Sequence, residues 1–116
     1  MTIKTRFGTY HNGYFRVGRY LADNSLCIDV WDHLEGPLAK LTVCLEDREL
    51  AADESYVDVN NFPEALGFIA DHNLGTPTGK TRQSGYVTYP VVKFDKAAFS
   101  HDYVALPDFS WEGWED

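Results

Sequence analysis

Gly75-Thr76-Pro77-Thr78-Gly79-Lys80-Thr81 is the stretch that comes nearest to a working chemical motif, because paired glycines before Lys-Thr suggest a phosphate-binding loop. That loop needs four residues between its glycines, and only three stand here. It must also follow a strand and open a helix, so that backbone N–H groups and the helix dipole converge on phosphate. This stretch follows a predicted helix and leads into a predicted strand, so it reads as a structured turn. The histidines, His11, His33, His72 and His101, are scattered through predicted turns and element ends, with no spacing that implies convergence on a metal. Ser84-Gly85 lacks the strand-to-helix elbow of a nucleophilic serine. Carboxylate pairs abound only because the chain is acidic, and sequence does not place any two at glycosidase spacing. The expectation is a protein with no catalytic residues, no metal and no cofactor.

The acids themselves are the more informative chemistry. The net charge is −8 over 116 residues, and it is unevenly laid out. Residues 1–22 carry Lys4, Arg6, Arg16 and Arg19 and no acid, whereas residues 23–79 carry twelve acids against Lys40 and Arg48. Residues 80–96 are basic again, and the five acids from 97 onward face no base. Acids on one face with neutral sites between them can imitate the phosphate spacing of a nucleic acid and so occupy a Lys/Arg channel. The candidates are Asp29 and Asp32 on the outward face of a strand, Glu46, Asp47, Glu49, Asp53 and Glu54 in a connector, and Glu64 and Asp71 on a helix. The competing reading is an acidic surface that serves solubility alone. Trp111 and Trp114, spaced i, i+3 among acids, suit docking to a partner, and equally suit a tail that folds back and buries both rings. A field of this sign repels nucleic acid and lipid headgroups, so the expected partner is a protein with a basic surface.

The elements that must hold these residues read as one α+β domain over 1–116, mainly an antiparallel sheet of five to six strands with one helix packed on one face. Residues 107–116 form an acidic, Trp-containing tail. Lys4 to Leu21 suggests two strands joined at His11-Asn12-Gly13, since Asn-Gly tolerates positive φ. Leu26, Ile28 and Val30 alternate, as do Leu41, Val43 and Leu45 beyond the turn at Glu35-Gly36-Pro37. Pairing Leu26 with Leu45, Ile28 with Val43 and Val30 with Leu41 puts both sets on one face. It also sets Cys27 opposite Cys44 on the reverse face, where two small reduced residues are expected rather than a disulfide.

Tyr56-Val57-Asp58-Val59 reads as a short strand, and Asn61, Pro63 and Glu64 as the cap, first turn and capping-box position of a helix ending at Asn73 to Gly75. Phe62, Leu66, Ile69 and Ala70 would form its apolar stripe. Thr76 to Gly85 reads as a loop, and Tyr86 to Phe94 as a last strand in which Pro90 marks an edge or a bulge. The apolar runs are far too short to span a bilayer, and no apolar h-region follows Arg6, so a cytoplasmic location is expected.

Five stretches, taken in order, carry a resemblance: Asn24-Ser25-Leu26, Leu41-Thr42-Val43-Cys44-Leu45, Tyr56-Val57-Asp58-Val59-Asn60-Asn61, Asn73 to Gly79, and Ser84-Gly85-Tyr86-Val87-Thr88-Tyr89-Pro90. Their order and spacing resemble a family of small bacterial proteins classed as a domain of unknown function and commonly carried on conjugative elements and phages. The resemblance covers about residues 20–94, and departs from the family pattern at Cys44, often Asn, and at Val59, often Thr. It implies a setting rather than a reaction. Small acidic proteins of mobile elements are often anti-defence factors, which makes a stoichiometric inhibitor of a CRISPR–Cas effector the leading expectation. The alternative is a non-catalytic interaction protein of a conjugative element with no anti-defence role.

Overall fold

Alternation of apolar residues builds the first sheet. In the computed structural model, which describes residues 1–99, 102–107, 109 and 114, β3 (Gly13–Arg19) pairs antiparallel with β4 (Leu26–Asp32), setting Phe15 opposite Val30 and Val17 opposite Ile28. These side chains and Leu26 are buried on one face, as a half-buried sheet requires. The turn between the strands is fixed by Asp23, whose Oδ1 accepts from both the N–H and the hydroxyl of Ser25, at 2.9 and 2.6 Å. β5 (Gly36–Lys40) adds antiparallel to β4, with a bulge between Val30 and Trp31. β10 (Tyr103–Ala105) adds parallel to the free edge of β3.

The predicted β4 register is corrected by two residues. Val30 faces Ala39 and Asp29 faces Lys40, so the pairing slips without changing faces. The chain then leaves the sheet. After Leu41 donates its N–H to Ile28 O, β6 (Thr42–Val43) pairs instead with β7 (Glu54–Val57). Leu41 therefore enters the main core, while Val43 and Leu45 pack on a second cluster around Tyr56, Tyr89 and Val91. Cys27 faces Gly18, not Cys44, and both thiols are free and half-buried.

The second sheet runs β6–β7–β9–β8, with β8 (Gly75–Ser84) and β9 (Val87–Phe94) forming its longest hairpin. Residues 76–84, expected as a loop, are thus strand. Their side chains are exposed, so no apolar alternation marks them, and pairing to β9 alone makes the strand. Pro90 lies on β9, an inner strand, opposite Thr81; the bulge sits across from it, between Pro77 and Thr81. The N-terminal pairing also differs from expectation. β1 (Ile3–Thr5) turns at Arg6-Phe7 onto β2 (Gly8–Tyr10), and β2 and β3 belong to different sheets. The described residues hold ten strands in three mostly antiparallel sheets and one α-helix, more strands than the five to six expected.

The helix α1 (Ala65–Asp71) starts later than its cap signals suggest. Asn61 does not cap it; its N–H and side-chain amide both donate to the Asp58 carboxylate, at 3.2 and 3.0 Å, and fix a preceding turn. The buried stripe is Phe62, Ala65, Phe68 and Ile69, while Leu66 and Ala70 face outward. Its end is the expected one. Asn73 adopts φ +53°, Leu74 N–H bonds Ile69 O and Asn73 N–H bonds Ala70 O, which together make a Schellman motif.

Phe94, Phe99 and Trp114 complete the core. Trp114 is 1% exposed, and its indole N–H donates to Phe94 O at 2.9 Å. Of the two tail readings, burial holds for Trp114, which is removed from the candidate docking surface; Trp111 lies outside the described residues.

Candidate functional site

The candidate acids do not form one exposed face. Asp32 ends β4 with its side chain buried, and its carboxylate accepts from the N–H groups of Leu34, Glu35 and Asn12 at 2.8, 3.0 and 3.0 Å. Burial pushes its pKa up, but the three backbone donors outweigh that and hold it below the usual carboxylate range. Asp32 is a turn-capping residue rather than an outward anion.

The connector between β6 and β7 divides in the same way. Asp47 accepts from Tyr56 OH at 2.8 Å and from Glu49 N–H at 2.9 Å, and the Tyr56 bond chiefly lowers its pKa. Its own N–H donates to Asp23 Oδ2. Glu54 is buried, accepts Ala51 N–H at 3.0 Å and meets Lys80 Nζ at 2.8 Å. Burial raises its pKa, and Lys80 and Ala51 more than reverse the effect. Asp53 lies 3.8 Å from Lys93 Nζ. Arg82 reaches back to Leu45 O at 3.0 Å. The basic stretch 80–96 thus folds against the acidic connector. Lys80, which a phosphate loop would aim at its ligand, is spent on Glu54.

What stays outward is a smaller set. Glu46, at φ +57°, and Glu49 are exposed and have no ion pair among the described residues. On the helix, Asp71 is exposed, and Glu64 is half-buried with Arg6 Nε at 4.0 Å. Asp29 is half-buried on β4, with Lys40 Nζ at 3.9 Å; burial raises its pKa, offset in part by Lys40 and Arg16. Among the described residues the exposed acids are Glu35, Glu46, Glu49, Asp71, Asp95 and Asp102, against the exposed bases Lys4, Arg6, Lys40, Arg48, Lys80, Arg82 and Lys93. The described surface is therefore close to balanced, and the negative excess comes from interior acids and from acids of the tail outside the described residues.

Sequence reasoning missed the sites that depend on tertiary pairing. An open groove of about 600 Å³ separates β1 from α1, with Lys4 and Arg6 on one wall and Glu64, Phe68, Asp71 and His72 on the other. The signal was partly present, since Glu64, Phe68, Asp71 and His72 share one helical stripe. His72 packs on Phe68, ring centroids 4.4 Å apart, and burial lowers its pKa. His33 stacks on Tyr14 at 4.0 Å and His11 is exposed, while His101 lies outside the described residues. Among the described residues no three His, Cys, Asp or Glu side chains converge as a metal site, and no helix is long and apolar enough to cross a membrane. Burial pushes both the Cys27 and the Cys44 thiol up, which keeps them in the unreactive protonated form.

Compared with known proteins, the chain belongs to the family described as Domain of unknown function (DUF4313), whose model matches residues 14–108. No curated protein and no solved structure matches it.

Proposed function

We propose that this protein acts without catalysis, by stoichiometric contact with a protein partner that presents a basic surface, and that it is a mobile-element anti-defence factor directed at a CRISPR–Cas effector complex. The supporting observation is the division of labour in the connector. Asp47 and Glu54 anchor the segment from within, and Glu46 and Glu49 are thereby presented outward and unpaired among the described residues. Anions held in place before contact lose little entropy on binding, which favours affinity and steers encounter with a basic channel. The mimicry this allows is narrower than nine acids.

A second reading has its own support. The near balance of exposed charge among the described residues suits an interaction protein of a conjugative element with no anti-defence role, its acids serving the fold.

The decisive experiment is phage plaquing on matched bacteria carrying different active CRISPR types, with and without this protein. Restored plaquing on one type supports the inhibitor reading. If no type responds, the accessory reading replaces it. For a responsive effector, Glu46→Lys with Glu49→Lys should weaken binding about tenfold or more and flatten its salt dependence while leaving the fold intact. Unchanged binding and salt dependence would remove mimicry from the reading.

A further inference from the structure

The groove of about 600 Å³ between β1 and α1 has a sheet edge for one wall. Met1 and Gly13 exchange both backbone hydrogen bonds, Met1 N to Gly13 O at 2.9 Å and Gly13 N to Met1 O at 2.8 Å. Bonded residues alternate along a strand of an antiparallel ladder. Ile3 and Thr5 therefore turn their N–H and C=O toward β2, and Thr2 and Lys4 turn theirs away from it. Among the described residues that outer side has no partner strand. β1 pairs with β2 alone, and no hydrogen bond outside that pairing reaches the backbone of Thr2 or Lys4. The groove follows this edge. Lys4 and Thr5, whose side chains leave opposite faces of β1, both line it, and no β2 residue does so among those described. On the opposite wall Gly67 stands mid-helix, with nothing within 4 Å of the place a Cβ would take. Glycine costs a helix interior about 1 kcal/mol against alanine, and the space it leaves admits a chain close to the α1 backbone.

We propose that this groove binds one extended segment of another protein as a strand added to β1, with an acidic residue opposite Lys4 and apolar residues on either side of it. Main-chain pairing to Thr2 and Lys4 supplies the attraction, and alternate side chains set the sequence preference. Lys4 is exposed, has no ion pair among the described residues, and leaves the face of β1 opposite to the buried Ile3. The added residue directly across from it shares that outward face, where a carboxylate meets the ammonium. The residues before and after point inward, toward Phe68, which is 5% exposed. The far edge of the added strand carries N–H groups of its own. Asp71, exposed and without an ion pair among the described residues, stands on the α1 wall to accept them. Lysine at a sheet edge commonly deters open-ended pairing, and α1 as the far wall limits this edge to a single strand. Other occupants fit less well. Glu64 and Asp71 repel the phosphates of nucleic acid and lipid headgroups. A small apolar ligand leaves the edge N–H and C=O groups unused. A second copy pairing edge to edge about the centre of β1 would set Lys4 against Lys4. Neither Glu46 nor Glu49 lines the groove, so this contact is separate from the one proposed above.

The test is selection from a phage-displayed library of random linear peptides on the immobilised full chain, then calorimetric titration of the enriched peptides, synthesised with capped ends. The expected consensus alternates apolar residues about one Asp or Glu. Lys4→Pro removes the outward N–H without touching the β2 ladder, and should weaken those peptides about tenfold or more. Lys4→Ala keeps the N–H and loses only the ion pair, so its effect should be about two- to fivefold. Gly67→Leu places a good helix former at an exposed position and fills the α1 wall, so it should abolish binding while circular dichroism shows a folded chain. A selection that enriches no sequence overturns the proposal. So do enriched peptides that bind Lys4→Pro or the folded Gly67→Leu as tightly as the parent. A basic consensus would assign the groove to Glu64 and Asp71 instead of the β1 edge. A dimer in sedimentation that Lys4→Pro dissociates would assign the edge to a second copy, and either result also overturns it.

Discussion

Lys80 Nζ lies 2.8 Å from Glu54 Oε1, and this contact ties the basic stretch of β8 to the acidic connector that precedes β7. The two partners stand in different surroundings, the Glu54 side chain 11% exposed and that of Lys80 56%. Glu54 also accepts Ala51 N–H, so its loss leaves a backbone donor without a partner, whereas a released Glu54 partner at Lys80 returns to water. Glu54→Ala should therefore destabilise the fold by about 1–3 kcal/mol. Lys80→Met leaves the buried Glu54 carboxylate without its cation and should also cost about 1–3 kcal/mol. Urea unfolding of both variants measures this, and a neutral Lys80→Met would mean that water satisfies the Glu54 carboxylate once the lysine is gone.

Trp114 anchors the chain's end in the core, with Phe99 at 5.4 Å and Phe109 at 6.3 Å between ring centroids. Trp114→Ala should cost about 3–5 kcal/mol, the usual penalty for emptying a large aromatic site. Trp114→Phe retains most of the packing but leaves Phe94 O without the indole N–H, and should cost about 1–3 kcal/mol. Thermal unfolding of the two variants measures this. A neutral Trp114→Ala would return the residue to the surface.

How far the sequence revealed these features depended on how local their causes were. Leu26, Ile28 and Val30 signalled the buried face of β4, because alternation along one strand needs no partner to be read. Asn73 marked the helix end for the same reason, since its left-handed φ is a property of a single residue. β8 was illegible, because its side chains are exposed and only hydrogen bonding to β9 makes it a strand. The register of β4 with β5 was off by two because a shift of two preserves the faces, leaving the apolar pattern equally satisfied, and the bulge at Val30/Trp31 has no mark in the sequence. The acids misled for a related reason. An aspartate that accepts backbone N–H groups, such as Asp32, has the same letter as one facing water.

Acid should weaken the fold in two stages. Burial lowers the pKa of His72, so its neutral form is favoured in the folded chain. Its contribution is complete above the unfolded value of about 6.5 and is lost as pH falls from there to the lowered folded value. Asp23, Asp32, Asp47 and Glu54 also have lowered pKa values, and the stability they confer is present above unfolded values of about 3.9–4.3 and lost as pH falls through the folded ones. Asp29 acts oppositely: its raised pKa means the fold holds its proton more tightly, so stability from that group rises as pH falls through its folded value. The four lowered acids outnumber it. Unfolding free energy measured between pH 8 and 3 should therefore fall slightly below about 6.5 and steeply below about 4. In His72→Phe the first stage should disappear, and its persistence would assign that stage elsewhere.

Two glycines should respond to alanine with opposite signs. At Gly75, where β8 starts against β9, an added Cβ would run into Lys93 O and the Cα of Phe94. Those are backbone atoms of a paired inner strand and cannot move aside cheaply, so Gly75→Ala should cost about 1–3 kcal/mol through overpacking. At Gly67, inside α1, an added Cβ meets nothing within 4 Å and the position is exposed. There alanine only removes backbone freedom from the unfolded chain, and Gly67→Ala should stabilise by about 0.5–1 kcal/mol. Urea midpoints of the two variants against the parent decide the matter. Loss at Gly67 would mean that something occupies the groove wall that Gly67 leaves open between α1 and β1, whereas no loss at Gly75 would mean that β8 stands farther from β9 than the Gly75–Phe94 pairing requires.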